Sequence, residues 1–247
     1  MYLSSRGKKT VVVDLDLGGA NQHLYLGERT VLKHSINDFI HKRIAGLGEA
    51  MVTCKYGPGL IGGDTTYNIL DFFLAADYGI VVTTRDSASY IGAYHFIKAA
   101  LYRKLMRLFS PESKYASRRD PDAEHALASI MGPQDSEPSF KSVPELLEML
   151  RELNPIAAAV ADEAIREFSP CLVVNKVPPG YAASQVVDKL QGVIRRYLSR
   201  EVPCLGAIPA QMEVEQSVID LVPVVARYPQ GVMARAMSEV LRNLSVQ

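Results

Sequence analysis

The feature that most constrains this chain is a short β-branched run that ends in two acids. Thr10 to Leu15 reads TVVVDL, and Asp14 and Asp16 stand at its far end. A run this short with no alternating polar face suits a strand covered on both sides, as in a parallel sheet. Similar runs recur at Tyr78 to Thr84 (YGIVVTT), Cys171 to Val174 (CLVV) and Pro203 to Ile208 (PCLGAI). Helical spacing fills the intervals. Ile91, Phe96, Ala99, Leu105 and Leu108 fall on one such pattern within Ile91 to Phe109; Leu146, Leu147, Leu150, Ile156, Val160 and Ile165 fall on another within Val143 to Phe168. Strands alternating with helices predict an α/β fold with a doubly wound, mainly parallel sheet.

Two further segments complete this outline. Residues 110–142 are rich in Pro, Ser, Asp and Arg and are expected to form a partly helical surface insertion, with Arg118 and Arg119 on a solvated face. Gly231 to Leu244 carries Val232, Met233, Ala236, Val240 and Leu244 on one side, the pattern of a docking helix. Its apolar face is thin and weakly basic for attachment to a membrane surface.

Composition limits the function classes. A length of 247 residues fits a single domain, 1–247. Lys plus Arg equals Asp plus Glu at 27 each, so no global field draws the chain to nucleic acid or acidic lipid. Cys54, Cys171 and Cys204 are an odd set with no C-x-x-C pair, which disfavours a disulfide framework or a Cys-rich zinc site and points to a reducing cytoplasm. No secretory apolar run opens the chain, and no stretch approaches the ~20 apolar residues of a spanning helix. His23, His34, His41, His95 and His125 show no metal-ligand spacing, and Tyr90, Tyr94, Phe96 and Tyr102 are spaced like helix packing residues. A dinucleotide-binding oxidoreductase is disfavoured because G-x-G-x-x-G is absent.

Val11 to Gly27, VVVDLDLGGANQHLYLG, is where chemistry is expected. A buried strand would deliver Asp14 and Asp16 to its carboxyl edge, where open parallel sheets bind ligands. Gly18 and Gly19 permit a tight path, and the Asn21 amide can hydrogen-bond a phosphate oxygen or a water. Acids, glycines and amide together suit a phosphate-and-magnesium edge. Two carboxylates at a strand end equally suit helix capping or plain solvation.

DLDLGGANQHLYLG resembles the D-x-D-x-G-x-x-N segment of the MinD/ParA ATPases, most of all their FlhG/MinD-like branch. Further likeness comes from the run Thr65 to Leu101, from CLVVNKVPPG and from LGAIPAQMEVEQSV. The resemblance implies a P-loop NTPase-like fold of the SIMIBI type, with ATP and Mg2+ as cofactors and an ATP-dependent homodimer. It implies that Asp16 orients the attacking water, that Asp14 lies in the magnesium and phosphate region, and that Asn21 serves the nucleotide-dependent dimer. Asn175, placed directly after a strand, and Pro209 would flank the adenine. Arg85 and Asp86 replace the proline and acid of the family's T-x-P-E loop, and Ala210 and Gln211 stand where an acid is common. The function implied is ATP hydrolysis coupled to positioning of flagella, division sites or plasmids, with a protein activator as a further partner and no specific nucleic acid.

The family's defining K-G-G-x-G-K-[ST] loop, whose backbone amides and lysines bind phosphate, has no match here. Ser4 to Lys9 resembles the polar turn after the first helix, so the chain is expected to begin beyond the P-loop, with a sheet incomplete at its N-terminus. GPGLIGGDTTYN likewise leaves no counterpart for the Walker B strand, and Asp64 receives no metal role. Each charge-assisted hydrogen bond lost from a triphosphate is worth roughly 1.5–3 kcal/mol, so tight ATP binding by this chain alone is not expected. The alternative function is a non-catalytic interaction or regulatory module that keeps the fold and uses the insertion or the last helix to bind a partner.

Overall fold

The computed structural model describes residues 4, 7–13, 26, 33–40, 42–62, 69–111, 113–131 and 140–245. Asp14, Asp16, Asn21 and Asp64 lie outside the described residues. The chain divides into two compact units, one of residues 1–69 with 208–247 and the other of residues 70–207.

In the first unit, β1 (Val11–Val13) precedes the short helices α1 (Ile36–Ile40) and α2 (Leu47–Ala50), then β2 (Met51–Thr53) and β3 (Gly59–Ile61). The strand order is β1-β3-β2; β3 runs parallel to β1, with Val12 beside Leu60, and antiparallel to β2. A tight turn joins β2 to β3, closed by Gly57 N–H donating to Cys54 O at 3.0 Å. Gly57 takes φ 104°, a conformation that favours glycine. Leu26, Cys54 and Leu60 form one small buried cluster, and Ile36, Ile44, Ala50 and Ile61 form another. At the end of the chain come α9 (Met212–Ile219), α10 (Val224–Arg227) and α11 (Val232–Leu244). The last begins one residue later than its spacing suggested and buries Met233, Ala234 and Val240.

The second unit opens on α3 (Ile69–Ala75), whose first residue belongs to the first unit, and β4 (Ile80–Thr83), followed by the long α4 (Ser87–Met106). After a 3-10 turn at Ala116–Arg118 come α5 (Pro121–Met131), α6 (Val143–Leu153), α7 (Pro155–Arg166), β5 (Cys171–Val177), α8 (Ser184–Leu198) and β6 (Cys204–Pro209), whose last two residues belong to the first unit. The strand order is β4-β5-β6. β4 and β5 run parallel, from Ile80 beside Cys171 to Thr83 beside Val174, and Leu172 N–H donates to Pro203 O at 2.8 Å. One apolar core joins Val81, Leu172 and Val174 of the sheet to Ile97, Leu101 and Leu105 of α4, Leu146 and Leu150 of α6, Ala161 and Ala164 of α7, and Leu190 and Ile194 of α8. Cys204 packs against this core whereas the buried Cys171 does not, so the two thiols lie on opposite faces of neighbouring strands.

Four expectations are corrected. β4 is covered on one face only: Val81 and Thr83 are buried, whereas Ile80 and Val82 are 36% and 58% exposed. Among the described residues β4 is a sheet edge, and the core-forming helices of its unit pack on the Val81 face. The expected helix over Val143 to Phe168 is two helices, because Asn154 ends α6 and its Oδ1 caps α7, accepting from the N–H groups of Ile156 and Ala157 at 3.0 and 2.9 Å, with Pro155 at the first position. The 110–142 segment is not merely superficial, since Ala123, Ala126, Leu127, Ile130 and Met131 of α5 enter the core. Arg118 and Arg119 are exposed as expected, and they pair with Glu163 and Glu124. Finally, β5 continues to Val177, so Asn175 lies within the strand rather than after it.

Candidate functional site

Ligand-binding residues of an open parallel sheet gather at the carboxyl ends of its strands. In the second unit that edge is built by two loops, Thr84–Asp86 after β4 and Pro178–Ala183 after β5. The first is locked by its own hydrogen bonds. Asp86 caps α4 by accepting from Ser89 N–H at 2.8 Å, and the Thr84 hydroxyl donates to the same carboxylate. The Ser89 hydroxyl in turn accepts from Thr84 N–H at 2.9 Å and lies 3.1 Å from the Thr83 hydroxyl. The Thr84 hydroxyl, and after it the Ser89 amide, hold the Asp86 carboxyl below its usual range. Here Asp86 is a helix cap: with a carboxylate on its first turn, α4 presents no vacant amide cradle for a phosphate.

The last residues of β5, just before the second loop, include Asn175 and Lys176. Asn175 lies one position past the last pairing with β4, and its Oδ1 accepts from Lys176 N–H at 2.8 Å. This contact goes with a left-handed Lys176, φ 54°, and sets the side-chain amide's direction. The Asn175 Nδ2 donors have no acceptor among the described residues. Arg85 places its guanidinium 5.7 Å from the centre of the Tyr181 ring. Neither Arg85 nor Lys176 forms an ion pair among the described residues. The edge therefore offers an amide, Lys176, and Arg85 whose charge is shared with the neighbouring Asp86 carboxylate, a set able to hold an anionic ligand. It contains no paired nucleophile and base.

Pro209 ends β6 and falls in the first unit. Close after it in sequence, Gln211, Glu213, Val224, Tyr228, Val232 and Arg235 line a cavity of about 200 Å³ among α9, α10 and α11. Asp220 braces this region by accepting from Arg227 and Gln216, whose donated bonds hold its carboxyl below the usual range. Among the described residues no three His, Cys, Asp or Glu side chains gather as a metal site, and no helix is long and apolar enough to cross a membrane.

No protein-family model and no curated protein matches the chain. Solved structures do. A chain of the MinC:MinD cell division protein complex from Aquifex aeolicus matches with a TM-score of 0.57 at 15% identity, over 100% of this chain and 86% of that one. The Aquifex aeolicus MinD cell division protein matches at 0.53 and 15% identity, over 100% and 87%. The septum site-determining protein MinD from Pyrococcus horikoshii, complexed with Mg-ADP, aligns at 0.43 and 16% identity, over 98% and 86%. The chain has a MinD-like fold. It is an α/β, P-loop NTPase-like architecture with mostly parallel strands and a sheet that is incomplete among the described residues. Within this MinD-like fold, sequence reasoning placed Pro209 at the end of a strand and Asn175 after one that in fact runs on to Val177, and it missed the Thr83, Thr84 and Ser89 lattice and the Arg85–Tyr181 contact. Asp86 followed three residues later by Ser89, ahead of a helical run, carries the N-cap signature that marks that lattice.

Proposed function

We propose that the chain is a MinD/ParA-like domain, single over 1–247, that binds ATP with Mg2+. The observation that carries this reading is the MinD-like fold across the whole chain, joined to the D-x-D-x-G-x-x-N pattern from Asp14 to Asn21. On this reading Asp16 orients the water that attacks the terminal phosphate, Asp14 stands in the magnesium and phosphate region, and Asn21 serves an ATP-dependent homodimer. The free Nδ2 donors of Asn175 support an adenine contact, with Pro209 as the second adenine-flanking residue; Arg85 and Lys176 support attraction of a polyphosphate. Bound Mg2+ would supply charge neutralisation for the leaving group. With no K-G-G-x-G-K-[ST] motif in the sequence, turnover is impaired, and the cytoplasmic role is positional, in division, flagellar placement or partitioning, with a protein activator.

Thermal unfolding with and without Mg-ATP tests binding, and light scattering tests the dimer. A rise in Tm of several degrees that Asn175→Ala reduces, with turnover abolished by Asp16→Ala, is the expected outcome. No nucleotide-dependent shift at millimolar Mg-ATP overturns the ATPase reading. It would favour the non-catalytic interaction module, for which the exposure of Met212 (83%) and Ile219 (74%) on α9 is the supporting observation.

A further inference from the structure

At the amino end of β4, away in sequence from the Thr84 and Asn175 loops, the second unit holds a cavity of about 160 Å³. Its walls include Phe73, Asp77, Lys104, Glu167, Phe168 and Ser169. Lys104 comes from the last turn of α4 and is partly buried, yet it has no ion-pair partner among the described residues. The carboxylate nearest in charge terms, Glu167, is already engaged: it accepts from Lys114 on one oxygen and from the Tyr115 hydroxyl at 2.5 Å on the other. Arg200 joins the same region, its Nε donating to the carbonyl of Phe168 at 3.3 Å, and it too lacks a carboxylate partner. Burial, and then repulsion from Lys114 and Arg200, lower the Lys104 pKa against the opposing pull of Glu167. Asp77 also lines the cavity but is exposed, where its charge is largely screened. Glu167 attracts Lys104 more than Lys114 or Arg200 repels it, but a half-buried cation that no carboxylate reaches by hydrogen bond remains costly.

We propose that this cavity is a binding site for a phosphate-type oxyanion, held by the Lys104 ammonium with the Ser169 hydroxyl as a second donor and Arg200 as the flanking charge. Lys104 is the cation on the cavity wall; with Lys114 spent on Glu167, Lys104 and Arg200 are left facing the exposed Asp77, the cavity holds a phosphate group with room for water, and the Lys104 and Ser169 side chains lack partners among the described residues. The site is separate from the nucleotide reading and does not rest on it.

The test uses the intact chain, without nucleotide, at constant ionic strength set by sodium chloride. Inorganic phosphate, glycerol phosphate and acetate are each titrated by calorimetry and by Tm. Saturable binding of inorganic phosphate at millimolar concentration, weaker for acetate and reduced at least tenfold by Lys104→Gln but not by Lys98→Gln, is the expected result. Tighter binding of glycerol phosphate would assign the site to a phosphate monoester, and equal or weaker binding to the free ion. Should Lys104→Gln lower Tm without ligand, 13C-methylated lysine resonances of the unmutated chain decide: the Lys104 signal must move with phosphate. No saturable phosphate binding, an unchanged affinity in Lys104→Gln or a static Lys104 resonance overturns the proposal.

Discussion

At the scale of single residues, the clearest electrostatic contact is Asp71, which receives two arginines. Arg103 grips it in bidentate fashion, Nε at 2.9 Å and Nη2 at 2.8 Å, and Arg107 Nη1 stands 3.0 Å away. The hydrogen bonds from Arg103 lead in holding the Asp71 carboxyl below its usual 3.8. A depressed carboxylate stabilises the fold at pH values above its unfolded pKa, and the contribution fades as pH falls through the lower, folded value. The stability gap between the wild type and Asp71→Asn should therefore be constant near neutrality and close below about pH 4; denaturant midpoints across that range measure it. A gap that persists unchanged into stronger acid would mean that packing, and not charge, makes the contact matter. Asp86 shows the other use of a carboxylate. It is legible as a cap from the D-x-x-S spacing, whereas the hydroxyl lattice it anchors depends on the angle at which β4 meets α4.

Among the elements, the division between α6 and α7 is the instructive case. Apolar periodicity continues across Asn154 and Pro155, so spacing alone reads one helix. The break follows from local chemistry: the pyrrolidine ring disfavours helical geometry at Asn154, and the Asn154 carboxamide binds two of the amides left free at the start of α7. Asn154→Ala removes that cap and should cost about 1 kcal/mol, while Asn154→Asp should retain most of the stability. Equilibrium denaturation of the two variants distinguishes them, and equal losses would show that Pro155 alone sets the boundary. In β4 the limit was of another kind. A run of valines reads as covered on both faces, but coverage belongs to the neighbours, and Ile80 and Val82 remain exposed.

For the whole molecule, burial is unevenly shared. The second unit gathers its sheet and helices around one continuous core, whereas the described clusters of the first unit are small and lie against three-residue strands. Local opening costs least where few apolar contacts must separate. Amide hydrogen exchange should accordingly leave β5, α4 and α8 as the last protected segments, with β1 and β2 exchanging well before them. Uniform protection across both units would mean that they unfold as one cooperative body.

By itself the sequence determined the strand–helix alternation, the placement of Asn175 and Pro209 near strand ends, and the absence of a phosphate-loop motif, because these are properties of short windows and their order. It also carried the resemblance that the MinD-like fold supports, through D-x-D-x-G-x-x-N and the strand–turn segments. Only the tertiary structure decided that α5 enters the core and that Lys104 stands beside a carboxylate already engaged by Lys114 and Tyr115. Those outcomes arise from residues as far as 63 positions apart, as Lys104 and Glu167 are, and no local spacing encodes which charge reaches a shared partner first.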